Sequence, residues 1–122
     1  KEELIFGLFP DLKRLIKLPG TNLSGGQQQM LAIARALVPD NKMLLIDEPS
    51  EGLAPVLIEQ VVEAIKLLSA QSTVVLVEQN FVVASLLAKQ YVIIDEGQSV
   101  KQGLMADLID DKETIHKYLG AA

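Results

Sequence analysis

Apolar residues along the chain fall into helix-spaced stripes separated by short unbroken runs. Leu4, Ile5, Leu8, Leu12, Leu15 and Ile16 form a first stripe over residues 1–18, broken near Pro10, and Pro19-Gly20-Thr21-Asn22 reads as a loop. From Ser24 onward Met30, Ile33, Ala34, Leu37 and Val38 recur at helical spacing, up to a stop at Pro39-Asp40-Asn41. Met43-Leu44-Leu45-Ile46, closed by Asp47-Glu48-Pro49, predicts a buried strand. Pro55 suits the first turn of the next helix, which turns Ile58, Val61, Val62, Ile65 and Leu68 inward. Thr73–Val77 is a β-branched strand, and Asn80 caps a helix through Ala88. Tyr91–Ile94 and Ser99–Lys101 flank Asp95-Glu96-Gly97-Gln98, a hairpin turn with glycine where positive φ is wanted. A helical tail follows from about Leu104 to Tyr118. Alternating strands and helices predict an α/β fold with a mostly parallel sheet, to which the hairpin adds an antiparallel edge.

Composition sharpens this picture. Apolar residues make up 49% of the 122 and aromatic ones only 4%, so the core is built from Leu, Ile, Val and Ala. That mix suits parallel strands covered on both faces. Cysteine is absent, which excludes a disulfide framework or thiolate metal site. The single histidine, His116, argues against a histidine metal site or a Ser-His triad, and reads as a surface residue. A net charge of −5 argues against a nucleic-acid partner, whose phosphates are bound by Lys and Arg. No apolar run approaches the roughly 20 residues that span a bilayer, and no secretory signal opens the chain. The expectation is a soluble, cytoplasmic α/β piece. Its first residue is Lys1, in what reads as the middle of an element, so a fragment or processed product is expected.

Two constellations carry chemistry. Leu23-Ser24-Gly25-Gly26-Gln27 stands at a helix start, where exposed N–H groups and the helix dipole favour an anion. The glycines let an anion approach the backbone, and Ser24 and Gln27 add side-chain donors. The plainer reading is a serine-capped helix with a flexible entry. Asp47-Glu48 ends the apolar strand, where α/β sheets bind their ligands. Adjacent side chains at a strand end point in different directions and can divide labour. Asp47 can hold Mg2+ through water while Glu48 polarises an attacking water, since magnesium prefers carboxylates combined with phosphate oxygens. Here the plainer reading is two solvated acids at an ordinary strand end.

The order of these pieces adds specificity. Leu23-Ser24-Gly25-Gly26-Gln27, the following Gln28-Gln29-Met30-Leu31-Ala32-Ile33-Ala34-Arg35-Ala36-Leu37, and Met43–Ser50 together resemble the ABC ATPase family, with its signature and Walker B motifs. Ser50-Glu51-Gly52-Leu53-Ala54 is similar to the D-loop, and Val77-Glu78-Gln79-Asn80 stands where the switch loop belongs. The phrases around Gln27–Leu37, Glu51–Pro55 and Leu76–Asn80 look most like the ATPase subunits of branched-chain amino acid importers. The resemblance implies a partial P-loop NTPase domain lacking its Walker A half. Residues 1–22 would close the helical subdomain that meets the membrane subunits, and residues 23–122 would form the C-terminal part of the ATPase core. It implies two ATPase domains sandwiching ATP, with Ser24, Gly26 and Gln27 touching the γ-phosphate of ATP held by the partner domain. Gly25 belongs to the same nucleotide-binding loop. It further implies Asp47 organising Mg2+, Glu48 as general base, and Arg35 as a structural residue bonded within the helical region. The partners would be a second ATPase domain and membrane permease subunits, at the cytoplasmic face of the cell membrane.

Three departures qualify the match. No G-x-x-x-x-G-K-[ST] occurs in the sequence, so the phosphate loop and its lysine are missing. In the family's sheet the strand before that loop lies between the strands at 73–78 and 91–94, which predicts a gap there. Gln79 takes the place of the usual switch histidine; its amide can orient water or donate to phosphate but cannot become a cation. Ala54 stands where many members carry aspartate. Two other readings stay open: a non-catalytic interaction module that offers its signature helix to a partner's nucleotide, and the ATPase head of a DNA-maintenance protein. The acidic balance and the lack of heptads speak against the latter.

Overall fold

The computed structural model of the chain describes Gly7 and residues 24–120. Gly7 apart, the helix expected over 1–18, the loop after it and the assignment of 1–22 to a helical subdomain lie outside these residues. The chain forms two compact units, Lys1–Val77 and Glu78–Ala122.

In the first unit Ser24 caps α1, Gly25–Leu37, and Met30, Ile33 and Ala34 are buried along one of its faces. Asn41 closes the helix by donating from Nδ2 to the carbonyl of Ala36 at 2.7 Å and to that of Pro39 at 3.2 Å. Its own carbonyl accepts from Ser72 Oγ at 2.6 Å, which ties the end of α1 to the entry of the second strand. Strand β1, Met43–Asp47, then leads through a turn into α2, Pro55–Ser69, with Pro55 at the start of the helix as expected. Val61, Val62, Ala64, Ile65 and Leu68 are buried along α2. The crossover returns the chain to β2, Thr73–Val77, parallel to β1 in a register that pairs Met43 with Thr73 and Asp47 with Val77. A parallel pair requires such a crossover, since no short turn can join its ends.

One expectation fails here. The apolar run of β1 predicts burial on both faces, but among the described residues only one face is covered. Leu44 packs with Leu68 beside Ala36, Ile46 and Val74, whereas Leu45 is 76% exposed and Met43 58% exposed. Val75 and Val77, at alternate positions of β2, are exposed as well. Hydrophobic composition shows what a strand can bury; the elements packed on it decide which face is buried.

In the second unit Asn80 Oδ1 accepts from the Val83 N–H at 3.2 Å and starts α3, Phe81–Leu87, one residue short of the expected end. Strands β3, Gln90–Asp95, and β4, Gln98–Leu104, form an antiparallel hairpin. Its two-residue turn has positive φ at both positions, 50° at Glu96 and 77° at Gly97. That geometry matches the right-handed twist of the strands. The register shifts by one residue at Val100, so that Ile93 faces Lys101 and Ile94 faces Ser99.

The hairpin was expected as the edge of one sheet. A gap was also expected between it and the strand at 73–78, and among the described residues the hairpin forms a ladder of its own, separate from that of β1 and β2.

The tail, expected as one helical run, is broken into α4, Met105–Ile109, α5, Lys112–Thr114, and a π-helical turn, Ile115–Leu119. Asp111 causes the break. Its carboxylate accepts from the Thr114 N–H at 3.1 Å and begins a new turn, a role aspartate fills better than a helix interior. Met105, Leu108, Ile115 and the strand residue Ile93 form the small core of this unit. Lys101 reaches from β4 to Asp111 Oδ2 at 2.7 Å and Thr114 Oγ1 at 3.2 Å, clasping the tail to the hairpin. The hydrogen bonds from Lys101 and Thr114 hold the Asp111 carboxyl at about 2, below its usual 3.8. The same bond to Asp111 raises the Lys101 ammonium pKa. His116 lies exposed on the π-helical turn, as expected.

Candidate functional site

At the start of α1 Ser24 and Gln27 form a reciprocal capping box. Ser24 Oγ accepts from the Gln27 N–H at 3.2 Å, and Gln27 Oε1 accepts from the Ser24 N–H at 3.0 Å. The plain serine cap is therefore present. It does not compete with anion binding, because each side chain uses an oxygen as acceptor. The hydroxyl hydrogen of Ser24 and the amide hydrogens of Gln27 are not the atoms engaged in the box. No acidic residue occupies the first turn, so no carboxylate offsets the positive end of the helix dipole. Gly25 has open space around its α-carbon. Gly26 does not: a Cβ there would collide with Leu57 Cδ1 and lie 3.6 Å from Leu53 Cδ2. Its missing side chain lets the start of α1 pack on the residues that begin α2.

Asp47 ends β1 with its side chain exposed, and Glu48 follows, half-buried. Glu48 takes a left-handed backbone, φ 47°. That conformation costs about 1–2 kcal/mol for a residue with a Cβ. It persists because the backbone is fixed on both sides. The Glu48 N–H donates to the Val77 carbonyl at 2.6 Å, and the Glu48 carbonyl accepts from the Glu51 N–H at 3.2 Å. Pro49 and Ser50, the two central residues of this turn, are buried. Gln29, on α1, donates from Nε2 to the Pro49 carbonyl at 3.1 Å. The signature-like helix start and the Asp47-Glu48 turn are thus joined twice, by the Gln29–Pro49 hydrogen bond and by the seat of Gly26 on Leu53 and Leu57.

Gln79 follows β2 in the second unit and is exposed. Its neighbour Glu78 accepts from the Asn80 N–H through Oε1 at 3.2 Å, which helps start α3. Arg35 is exposed on α1. Sequence reasoning missed two things at this site, the tie made by Gln29 and the packing role of Gly26. A signal for the first existed. Gln29 lies one turn before Ile33 on the buried stripe, and a polar side chain there needs a hydrogen-bond partner.

The comparisons with known proteins meet these segments. The family described as ABC transporter matches residues 5–51, which include Ser24–Gln27 and Asp47-Glu48. The high-affinity branched-chain amino acid transport ATP-binding protein of Pseudomonas aeruginosa is 43% identical over 117 residues, 95% of this chain and 50% of that protein. The chain belongs to the ABC transporter ATP-binding family. Within that family a phosphonates import ATP-binding protein of a Nostoc species is 40% identical over 75% of this chain and 38% of its own length. The chain thus spans about half the length of the first of these relatives and less of the second.

Among solved structures, a dimeric post-hydrolysis state of the ATP-binding cassette MJ0796 with ADP and Pi is similar, with a TM-score of 0.64 and 31% identity. It covers 70% of this chain and 37% of that one. The cassette MJ1267 gives a TM-score of 0.76 at 24% identity over 98% of this chain and 49% of its own, a likeness of fold. The α/β class and the ABC ATPase fold expected from the sequence hold. Among the described residues no helix is long and apolar enough to cross a membrane.

Proposed function

We propose that the complete protein hydrolyses MgATP as the ATPase subunit of an importer for branched-chain or related amino acids. The observation that carries this reading is the fixed turn at Glu48, held in a left-handed conformation and tied to the capped start of α1. The likeness to the branched-chain amino acid transport protein supports the choice of substrate class.

In this reading Glu48 accepts a proton from the water that attacks the γ-phosphate. A positioned base of this kind contributes typically about 10²–10⁴ in rate. The Ser24 hydroxyl, the Gln27 amide and the N–H groups at Gly25 and Gly26 donate to the γ-phosphate of ATP held by a partner domain. Gln79 orients the water through its amide. Asp47 would hold Mg2+, which supplies charge neutralisation at the phosphates. The donor set fits that ion. Asp47 is an exposed carboxylate at the end of β1, and magnesium characteristically takes one or two carboxylates plus phosphate oxygens and water. The partners are a second ATPase domain, in keeping with the dimeric cassette MJ0796, and membrane permease subunits. Residues 1–22 would face those subunits, at the cytoplasmic side of the membrane, and nucleic acid has no part.

The test is Glu48→Gln in the full-length protein. Turnover should fall by about 10²–10⁴ while MgATP still binds and holds the dimer together. Turnover near that of the wild type would remove Glu48 as the base. Reconstitution with permease and binding protein, comparing leucine with urea and short amides, tests the substrate class.

A further inference from the structure

We propose that Gln29 is a positioning residue for Glu48, acting through the Pro49 carbonyl, an inference that rests on the reading of Glu48 as the base. The backbone around Glu48 is fixed at three points: its N–H on Val77, its carbonyl under the Glu51 N–H, and the next carbonyl, that of Pro49, under Gln29 Nε2 at 3.1 Å. Of these three, only the Gln29 tie is made by a side chain. It is also the tie that comes from another helix, twenty residues earlier in the chain. The first two follow from the strand register and the turn and would survive any substitution at position 29.

A left-handed glutamate persists only where its surroundings over-determine it. Pro49 has no N–H of its own, and it is almost completely buried, so its carbonyl has little access to water as an alternative donor. Without Gln29 that carbonyl loses its hydrogen-bond donor, and the turn relaxes around the residue whose carboxylate must meet the water. Gln29 is half-buried on the same face of α1 as Ile33, so its amide is held at one place. It touches neither nucleotide nor water in this account, and its effect passes through the direction in which Glu48 points.

The consequence is a selective loss. In the full-length protein Gln29→Met, which keeps the length and removes the donor, should lower kcat by roughly 10-fold, the rate equivalent of one buried hydrogen bond. KM for ATP should stay within about twofold, and nucleotide bound per mole of protein should be unchanged. Gln29→Lys, which restores a donor, should recover most of the rate. The deciding measurement is a double-mutant cycle read by single-turnover hydrolysis with enzyme in excess. In the Glu48→Gln background Gln29→Met should cost nothing further, because the group being positioned is gone.

An equal loss in both backgrounds would make Gln29 a general structural residue and overturn the proposal, as would full turnover by Gln29→Met. Should Gln29→Met fail to fold, Gln29→Glu keeps the shape, replaces the donor with an oxygen and carries the same cycle. Wild-type turnover by Glu48→Gln alone is a different result, which rejects the base itself rather than its positioning.

Discussion

The two units of the chain hold their shapes by different means. In the first, two helices bury long apolar faces, and the turn that carries Asp47 and Glu48 is fixed by backbone strain balanced against hydrogen bonds. In the second, the core is small, every residue of β4 is exposed, and much of the order comes from turn chemistry and the clasp of Lys101, Asp111 and Thr114. The contrast teaches where function and stability separate. A residue of the first unit can lose its chemistry while the fold stands, whereas the second unit has few contacts to spare.

The sharpest form of that contrast is Glu48→Gln against Leu108→Ala. The first should lower turnover by about 10²–10⁴ and leave the thermal midpoint almost unmoved, since glutamine has the same shape. Leu108 is fully buried among Met105, Ile93 and Ile115, and truncating it should cost about 2–5 kcal/mol. Hydrogen exchange of the hairpin amides, followed through denaturant, would read that loss directly. A large fall in the midpoint for Glu48→Gln, or a silent Leu108→Ala, would erase the distinction.

Gly26→Val comes next. Its branches would meet Leu57 and Leu53, and overpacking of this kind costs about 1–3 kcal/mol. The displaced helix start should also weaken nucleotide-dependent dimerisation, measurable by sedimentation. If stability and dimerisation both survived, the close seat of α1 on α2 would have no mechanical role.

The smallest effect is a pH response confined to the second unit. Asp111 has its carboxyl lowered to about 2 by its bonds to Lys101 and Thr114, so the folded state binds a proton there less readily than the unfolded chain. The clasp therefore contributes fully above about pH 4 and is lost as pH falls from there through 2. Both partners are partly exposed, so salt should weaken the clasp as well. The Thr114 amide, followed by NMR through an acid titration, should lose protection before the amides of α2 do. Simultaneous loss in both units would mean that the acid transition is global.

Much of this was legible from residue order. Ser24, Pro55, Asn80 and Gly97 act locally, within a turn of their own position, and each performs the predicted job. What sequence could not carry was pairing with distant elements. The apolar content of β1 does not reveal that Leu45 is exposed, and Tyr91–Ile94 carries no mark of which strand lies beside it. Asp111 lies inside the run read as one helical tail, and its capping bond to the Thr114 N–H appears only in the fold. Gln29 shows the same limit at the site. Its partner is a carbonyl, which every residue owns, so its identity was invisible until the turn placed Pro49 opposite.

The left-handed backbone of Glu48 also bears on redesign. Glycine would relax that backbone, and a procedure that scores foldability alone would be drawn to it. Yet glycine has no carboxylate to give. Under the proposed role of Glu48 as the base, position 48 is a place where the sequence most at ease with the fold and the sequence able to work part company, and stabilised variants of this domain should be built with that residue held fixed.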